Sequence, residues 1–129
     1  MPESDKAILA AEVDPMDAAR LFRTLVLLGY RVRPASSAEQ VMEAIRRQIF
    51  THAALAIEMT IEGEPIITRL SALPSMAQLI AVGPPGDQKA ERQARLAGAD
   101  LYICRPVGIE VLAKALRAAA ARTPVLPPW

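Results

Sequence analysis

The sequence predicts an α/β fold in which helices cover a parallel β-sheet. Short apolar runs typical of strands alternate with helix-like segments along the chain, and little sequence separates them. One of these runs, residues 53–57, has no polar alternation, which is typical of a central strand covered on both faces. Three of the runs also end in an ionisable residue, and parallel strands bring such residues together at one edge of the sheet.

Composition and charge restrict the class of protein. The chain has 129 residues, of which 52% are hydrophobic and 22% are charged, so we expect one domain with a single core. Its net charge of +1 provides no field that would attract nucleic acid or an anionic membrane. A single cysteine suits a reducing compartment, and neither a secretory signal nor a membrane-spanning run is recognisable. We therefore expect a soluble cytoplasmic protein.

The first predicted strand, residues 8–11, is followed by a helix. Asp14 and Pro15 predict the start of this helix, because Asp can accept hydrogen bonds from its free N–H groups and Pro has no N–H to leave unpaired. Apolar residues then recur at three- and four-residue steps: Leu21, Phe22, Leu25, Val26 and Leu28. Gly29 predicts the end of the helix, since glycine adopts the left-handed cap conformation without penalty.

An edge strand, a second helix and a central strand are predicted next. Residues 30–33 alternate between apolar and charged side chains, as in an edge strand with one wetter face. Ser37 and Gln40 resemble a capping box, so we expect a helix that buries Val41 and Ile45. The apolar run 53–57 is the third strand.

A short helix and a fourth strand are predicted between residues 66 and 82. The helix carries apolar residues from 66 to 73 and stops at Pro74, and residues 79–82 form the strand. The segment 83–86, Gly-Pro-Pro-Gly, then forces a turn. It has a superficial likeness to a phosphate-binding loop, but its consecutive prolines lack the amides that such a loop needs.

The last elements are a helix, a strand and a second helix. Residues 88–97 form the fourth helix, which Gly98 ends, and residues 101–104 form the fifth strand. The Ala- and Leu-rich segment 109–121 predicts the final helix on propensity alone. Residues 123–129 contain three prolines and cannot continue it, so we expect an extended tail or a linker stub.

The ordered set of these segments resembles the receiver domain of bacterial response regulators. The segments that carry the resemblance are 8–15, 29–32, 97–106 and the final helix. The likeness covers residues 6–121 and implies a doubly wound, CheY-like sheet of five parallel strands in the order 2-1-3-4-5 with five helices. It also implies a site where the order reverses, between strands one and three. We assign residues 1–122 to this receiver-like domain.

In receiver domains, an aspartate at the end of the third strand accepts a phosphoryl group beside a magnesium ion. The resemblance places Glu58 at this phosphoacceptor position. Its extra methylene moves the carboxylate by about 1.5 Å, and in-line phosphoryl transfer depends on positioning. The family's metal-binding acid pair is matched by Glu12 and Val13, with Asp14 next along. One expected magnesium ligand is therefore a hydrocarbon.

Other positions of the implied site also depart from the family. Gly83 stands at the hydroxyl-switch position and has no side chain, and Pro84 after it has no N–H. Arg105 replaces the conserved lysine, and its planar fork favours two-point contact with a carboxylate. Tyr102 matches the aromatic switch. We therefore expect a degenerate pseudo-receiver that lacks the phosphoacceptor aspartate but keeps its output surface.

The charged residues leave two questions open at the level of sequence. Glu58 paired with Arg105 is either a built-in substitute for the phosphorylated state or an exposed ion pair contributing about 0–1 kcal/mol. Glu12, Asp14 and Glu58 either hold a hard cation through their oxygen atoms or are solvated carboxylates, with Asp14 capping a helix. We favour the second interpretation of the acids, and thus no metal and no cofactor.

Three further side chains have simple structural interpretations. Cys104 lies in an apolar run, so we expect an inert core thiol. His52 precedes the third strand, and we expect a surface or cap residue. Tyr102 either moves between buried and exposed rotamers or is simply half-buried at the end of its strand.

The function that we predict is a phosphorylation-independent, receiver-like signalling module that binds another protein in a two-component-type system and is not an enzyme. The resemblance implies that the interaction surface consists of the fourth helix, fifth strand and fifth helix around Tyr102. The same surface could also join two copies of the chain in a homodimer. A working phosphoacceptor with an unusual site is one alternative. A doubly wound domain that binds a small molecule is another, although the glycine fingerprint after strand one is missing.

Overall fold

The computed structural model of the protein describes residues 7–74 and 77–122, with side chains up to residue 118. The predicted tail, residues 123–129, lies outside the described residues. Within the described ranges, none of the helices has the length and apolar character that a bilayer span requires.

In the ranges that the structure describes, seven strands form a large parallel sheet and a small hairpin. In chain order they are β1 (Ala7–Ala11), β2 (Arg31–Ala35), β3 (His52–Ala56), β4 (Thr60–Ile61), β5 (Glu64–Pro65), β6 (Gln78–Gly83) and β7 (Leu101–Cys104). The large sheet has the order β2-β1-β3-β6-β7, and every neighbouring pair in it is parallel. Counted without the hairpin, this is the predicted doubly wound order 2-1-3-4-5.

The described residues contain five helices, as predicted: α1 (Pro15–Leu27), α2 (Ala38–Arg47), α3 (Ile66–Ser71), α4 (Gln88–Ala97) and α5 (Ile109–Arg122). Alternate residues of each strand face opposite sides of the sheet, so two apolar clusters form. Leu21 of α1 and Leu112 of α5 pack with Ile8 on one side. Val41 of α2 and Ile66 of α3 pack with Leu9 on the other.

Local capping explains where two of the helices begin. One carboxylate oxygen of Asp14 accepts hydrogen bonds from the N–H groups of Met16 and Asp17, each at 3.0 Å, at the start of α1. The Ser37 hydroxyl accepts from the N–H of Gln40 at the start of α2, as a capping box requires. The Gln40 side chain, however, accepts from the N–H of Ser36 rather than from that of Ser37.

His52 is buried, contrary to the prediction of a surface or cap residue. It is the first residue of β3 and only 6% exposed. Its backbone lies in register between Ile8 of β1 and Gln78 of β6, and its ring lies edge-on to that of Tyr30, with the ring centroids 6.2 Å apart. The error arises because β3 begins one residue earlier than the apolar run suggests.

Cys104 is exposed, so the prediction of a core thiol is also wrong. Ile103 faces the core, and the alternation of side chains along a strand turns Cys104 to the opposite face at the end of an edge strand.

The apolar face of α1 is narrower than the sequence predicted. Leu21 and Leu25 are buried, but Phe22 and Val26 are 40% and 47% exposed.

Candidate functional site

Three ionisable side chains meet at the carboxyl edge of the sheet, as the sequence predicted. Glu12 directly follows β1, Glu58 lies two residues after β3, and Arg105 directly follows β7. Sheet-like backbone pairing extends to two of them. The N–H of Glu12 donates to the carbonyl of Ala35 at 3.1 Å, and the N–H of Arg105 donates to that of Gly83 at 2.9 Å.

The guanidinium of Arg105 donates to both glutamates at once. Its Nε and Nη2 bond the two carboxylate oxygens of Glu12 at 2.9 and 3.1 Å. Its Nη1 and Nη2 bond the two oxygens of Glu58 at 2.9 and 2.6 Å. A carboxylate oxygen of Asp17, in the first turn of α1, lies 3.6 Å from Nε. The planar fork therefore makes two bidentate pairs, the geometry that distinguishes Arg from Lys.

The two pairs differ in burial. Glu12 has a side chain only 2% exposed, that of Arg105 is 17% exposed, and that of Glu58 is 52% exposed. The pair between Glu12 and Arg105 is thus a buried ion pair, in which loss of either partner leaves an uncompensated charge. The pair with Glu58 is closer to a surface ion pair, which contributes little by itself.

The pKa shifts follow this arrangement. Burial raises the pKa of Glu12, and the hydrogen bonds from Arg105 oppose that rise. Hydrogen bonding from Arg105 lowers the pKa of Glu58, whose charged form it stabilises. Hydrogen bonding to Glu58 and Glu12 raises the pKa of Arg105, so the guanidinium is charged at every accessible pH.

A magnesium ion, which the resemblance to receiver domains implies for this position, does not fit these residues. Arg105 bonds all four carboxylate oxygens of Glu12 and Glu58. Asp14 uses a carboxylate oxygen to cap α1, and Val13 offers no ligand atom. In the part of the chain that the structure describes, no group of three or more His, Cys, Asp or Glu residues is placed to hold a metal.

A second contact of the site joins Gly83, Pro84 and Tyr102. The ring of Tyr102 is half-buried, and its hydroxyl donates to the carbonyl of Pro84 at 3.0 Å. A Cβ atom built on Gly83 would lie 2.3 Å from that hydroxyl oxygen and 2.9 Å from the ring. The Tyr102 ring therefore fills the space in which a side chain at position 83 would lie.

The structure assembles three of the candidate residues at one place. It brings Glu12, Glu58 and Arg105 together around a cavity of about 450 Å³, which Asp14 also lines. Sequence reasoning did not single out Asp17, which completes the ring of acids around Arg105. The sequence does place Asp17 three residues after the helix-capping Asp14, in the first turn of α1. Because this turn lies at the same edge of the sheet, that position could have indicated that Asp17 belongs to the site.

Comparison with protein-family models gives no match, and comparison with curated proteins by sequence gives none either. Solved structures do match. A candidate response regulator from Chloroflexus aurantiacus J-10-fl is 22% identical with a TM-score of 0.83, over 92% of this chain and 99% of that one. A CheY-like receiver domain protein from Methanospirillum hungatei JF-1 is 21% identical with a TM-score of 0.79, over 92% and 96%.

The receiver domain of the TMAO respiratory system response regulator TorR gives a similar result. It is 23% identical with a TM-score of 0.78, over 92% of this chain and 99% of that domain. The structural neighbours of the chain are thus CheY-like receiver domains of response regulators. At this level of identity, the likeness shows the fold.

Proposed function

We propose that the chain is a receiver-like signalling module of a two-component-type system, which works without phosphorylation and acts by binding another protein. In this proposal, residues 1–122 form the module and residues 123–129 a tail or linker. The fold of its structural neighbours supports the signalling class. The contact of Arg105 with Glu12 and Glu58 carries the proposal that phosphorylation is not involved.

The chemistry of the pocket explains why this contact is decisive. A phosphoacceptor carboxylate must present a free oxygen to the phosphorus atom, in line with the leaving group. Both oxygens of Glu58 instead accept hydrogen bonds from Arg105. Gly83 has no hydroxyl and Pro84 no N–H with which to hold a phosphoryl oxygen. We therefore assign Glu58 and Arg105 a structural role, as a closed pair at the phosphoacceptor position.

Exposed apolar side chains support a protein-binding surface on α4, β7 and α5. Leu96 of α4 is 81% exposed, and Ile109 and Val111 of α5 are 46% and 53% exposed. The two helices flank β7, which is an edge strand of the sheet. Exposed apolar side chains of this kind are available for contact with a partner protein. We assign the partner-binding surface, for a different protein or for a second copy, to these elements.

Phosphorylation is tested by incubating the protein with acetyl phosphate and Mg²⁺ and measuring the intact mass. A phosphorylatable receiver domain treated in parallel shows that the donor is active. We expect no adduct on the wild type. We expect none on Glu58→Asp either, because the hydroxyl and N–H donors would still be missing. A single phosphoryl adduct on the wild type that disappears in Glu58→Gln would overturn the proposal.

The surface is tested first with a second copy of the chain as the partner. Sedimentation equilibrium would compare the wild type with Val111→Glu on α5 and with Val26→Glu on α1, where Val26 is 47% exposed. We expect a concentration-dependent dimer that Val111→Glu abolishes and Val26→Glu retains. The opposite result would move the interface to α1, and a wild-type monomer would restrict the proposal to a different protein.

A further inference from the structure

We propose that an apolar groove beside α1 binds the Pro-rich segment 123–129 of the same chain, with the indole of Trp129 as its main contact. This α1 groove lies between α1 and the edge strand β2. The segment lies outside the described residues, so the proposal rests on its sequence, on the lining of the groove and on the reach of seven residues. It is independent of the proposed signalling role, whose partner-binding surface lies on α4, β7 and α5.

The α1 groove is formed by apolar side chains that the fold leaves exposed. Phe22, Val26 and Leu27 are 40%, 47% and 68% exposed. Phe22 and Val26 are one helical turn apart and so share one side of α1. With Ala18 of α1 and Pro34 of β2, these residues line one cavity of about 610 Å³, within the range of about 300–1,000 Å³ that is typical of ligand-binding pockets. An exposed apolar surface that is continuous around one cavity is typical of an interaction site.

The composition of the groove favours an uncharged, apolar occupant. Among the described residues that line it, Arg23 alone is charged. The segment 123–129 has no charged side chain and carries the apolar residues Val125, Leu126 and Trp129. Residues 1–6, in contrast, contain two acids and a lysine, which an apolar groove would have to desolvate. The indole also suits the guanidinium of Arg23, because the face of an aromatic ring attracts a cation.

The prolines of the segment favour binding in an open groove. Three of its seven residues are proline, which restricts φ and favours an extended conformation without internal hydrogen bonds. Extended Pro-rich segments bind grooves lined by aromatic and apolar side chains, because little conformational entropy is lost when they bind. Phe22 supplies the aromatic ring of such a groove here.

The segment is long enough to reach the groove. Leu21 of α1 and Leu112 of α5 belong to one apolar cluster, so the two helices lie on the same face of the sheet. Both begin after strands at the carboxyl edge, and both therefore end at the opposite edge. The helices also contact each other, so the segment after α5 has to cross one helix width, about 10–12 Å, to reach the β2 side of α1. Seven extended residues span about 23 Å, which is sufficient.

The fluorescence of Trp129 tests the proposal in the full chain, because the sequence contains one tryptophan. Acrylamide quenching of the protein is compared with quenching of a synthetic peptide with the sequence of residues 123–129. We expect the emission of the protein to be shifted to shorter wavelength, and its quenching constant to be several-fold smaller than that of the peptide. Quenching as efficient as in the free peptide would overturn the inference.

Two matched substitutions locate the contact. Val26→Glu places a charge in the α1 groove, and its quenching constant should rise to nearly that of the peptide. Ile49→Glu places the same charge on a residue after α2 that is 87% exposed and is not among those lining the groove, so it should behave as the wild type does. Circular dichroism checks that both variants fold. Equal protection of Trp129 in the two variants would contradict binding in the α1 groove.

The Trp129→Ala variant keeps the proposal testable if Val26→Glu does not fold. It changes a residue outside the described fold, so the fold itself should be retained. Comparison of its NMR spectrum with that of the wild type should show shift changes concentrated at Phe22, Val26 and Leu27. An unchanged spectrum at these residues would overturn the inference.

Dilution distinguishes binding within one chain from binding between two copies. We expect the protection of Trp129 to be independent of protein concentration, both in the wild type and in Val111→Glu, in which the proposed dimer surface is disrupted. Protection that is lost on dilution in Val111→Glu would place the segment on a second copy and overturn the inference. A phosphoryl adduct on Glu58 would end the proposed function without changing this fluorescence, and an unprotected Trp129 would leave the tests of the proposed function intact.

Discussion

The ring of Tyr102 occupies the space in which a side chain of residue 83 would lie, and glycine is the residue at that position. A Cβ atom there would be 2.3 Å from the Tyr102 hydroxyl oxygen, far inside van der Waals contact. The same hydroxyl donates to the carbonyl of Pro84. The inward position of the Tyr102 ring therefore depends on the absence of a side chain at Gly83.

Gly83→Ala should force the ring of Tyr102 to move outward. The added methyl group would displace the hydroxyl and break its hydrogen bond to Pro84, at a cost of about 1–2 kcal/mol in the free energy of unfolding. Urea denaturation measures this loss, and the NMR shifts of the Tyr102 ring protons report the movement.

The Tyr102→Ala variant supplies the control for this prediction. Without the ring, Gly83→Ala should cost much less, so the two substitutions should show a clear coupling energy in a double-mutant cycle. The contact would be contradicted if Gly83→Ala lowered the free energy of unfolding by the same amount in the wild type and in the Tyr102→Ala background.

Arg105→Ala should be strongly destabilising in metal-free buffer. It leaves Glu12 buried and unpaired, and breaking a buried ion pair in this way costs about 3–5 kcal/mol. Glu58→Gln removes only the exposed partner, so we expect about 0–1 kcal/mol. Chemical denaturation of the two variants and the wild type measures the difference in the free energy of unfolding. If both variants lost a similar amount, the distinction between the buried and the exposed ion pair would be contradicted.

Features set by neighbouring residues were predictable from the sequence. The start of α1 follows from the cap that Asp14 supplies, and the end of α4 from Gly98, which adopts a φ of +121°. The parallel order of strands was implied by the family resemblance and is confirmed by the sheet. The meeting of Glu58 and Arg105 follows in turn from the ends of two strands in that sheet.

Features set by distant contacts were not predictable in the same way. The burial of His52 depends on its place in the sheet and on contacts with distant residues such as Tyr30. The contribution of Asp17 depends on how α1 lies against the residue that follows β7. The sequence showed that Gly83 lacks a side chain, but not that the ring of Tyr102 fills the space. A rotamer of this kind is decided by packing between strands rather than by local sequence.

Stability should fall as the pH is lowered through the range in which His52 titrates. Burial lowers the pKa of His52 below its ordinary value of 6.5, so the unfolded chain binds a proton more readily than the folded one. The contribution of neutral His52 is complete above pH 6.5 and is lost as the pH falls toward the lower folded pKa, by at most about 1.4 kcal/mol per pH unit.

The chain has one histidine, which makes this prediction easy to isolate. Urea denaturation at pH values between 7.5 and 5.5, spaced around the pKa of 6.5, would give the slope for the wild type and for His52→Gln. The variant should be less stable at neutral pH and should have a flatter pH dependence. A wild type whose stability depends on pH no more steeply than that of His52→Gln would contradict a buried neutral histidine.

Asp14→Ala tests whether this acid serves the helix rather than a metal. Its carboxylate accepts two backbone N–H groups of α1 at 3.0 Å, so its loss should cost about 1 kcal/mol of stability whether or not Mg²⁺ is present. Asp87→Ala removes the equivalent cap from α4, where one N–H is bonded at 2.9 Å, and should behave in the same way. If Mg²⁺ stabilised the wild type and this effect disappeared in Asp14→Ala alone, Asp14 would be a metal ligand, because a backbone cap has no means of responding to a divalent ion.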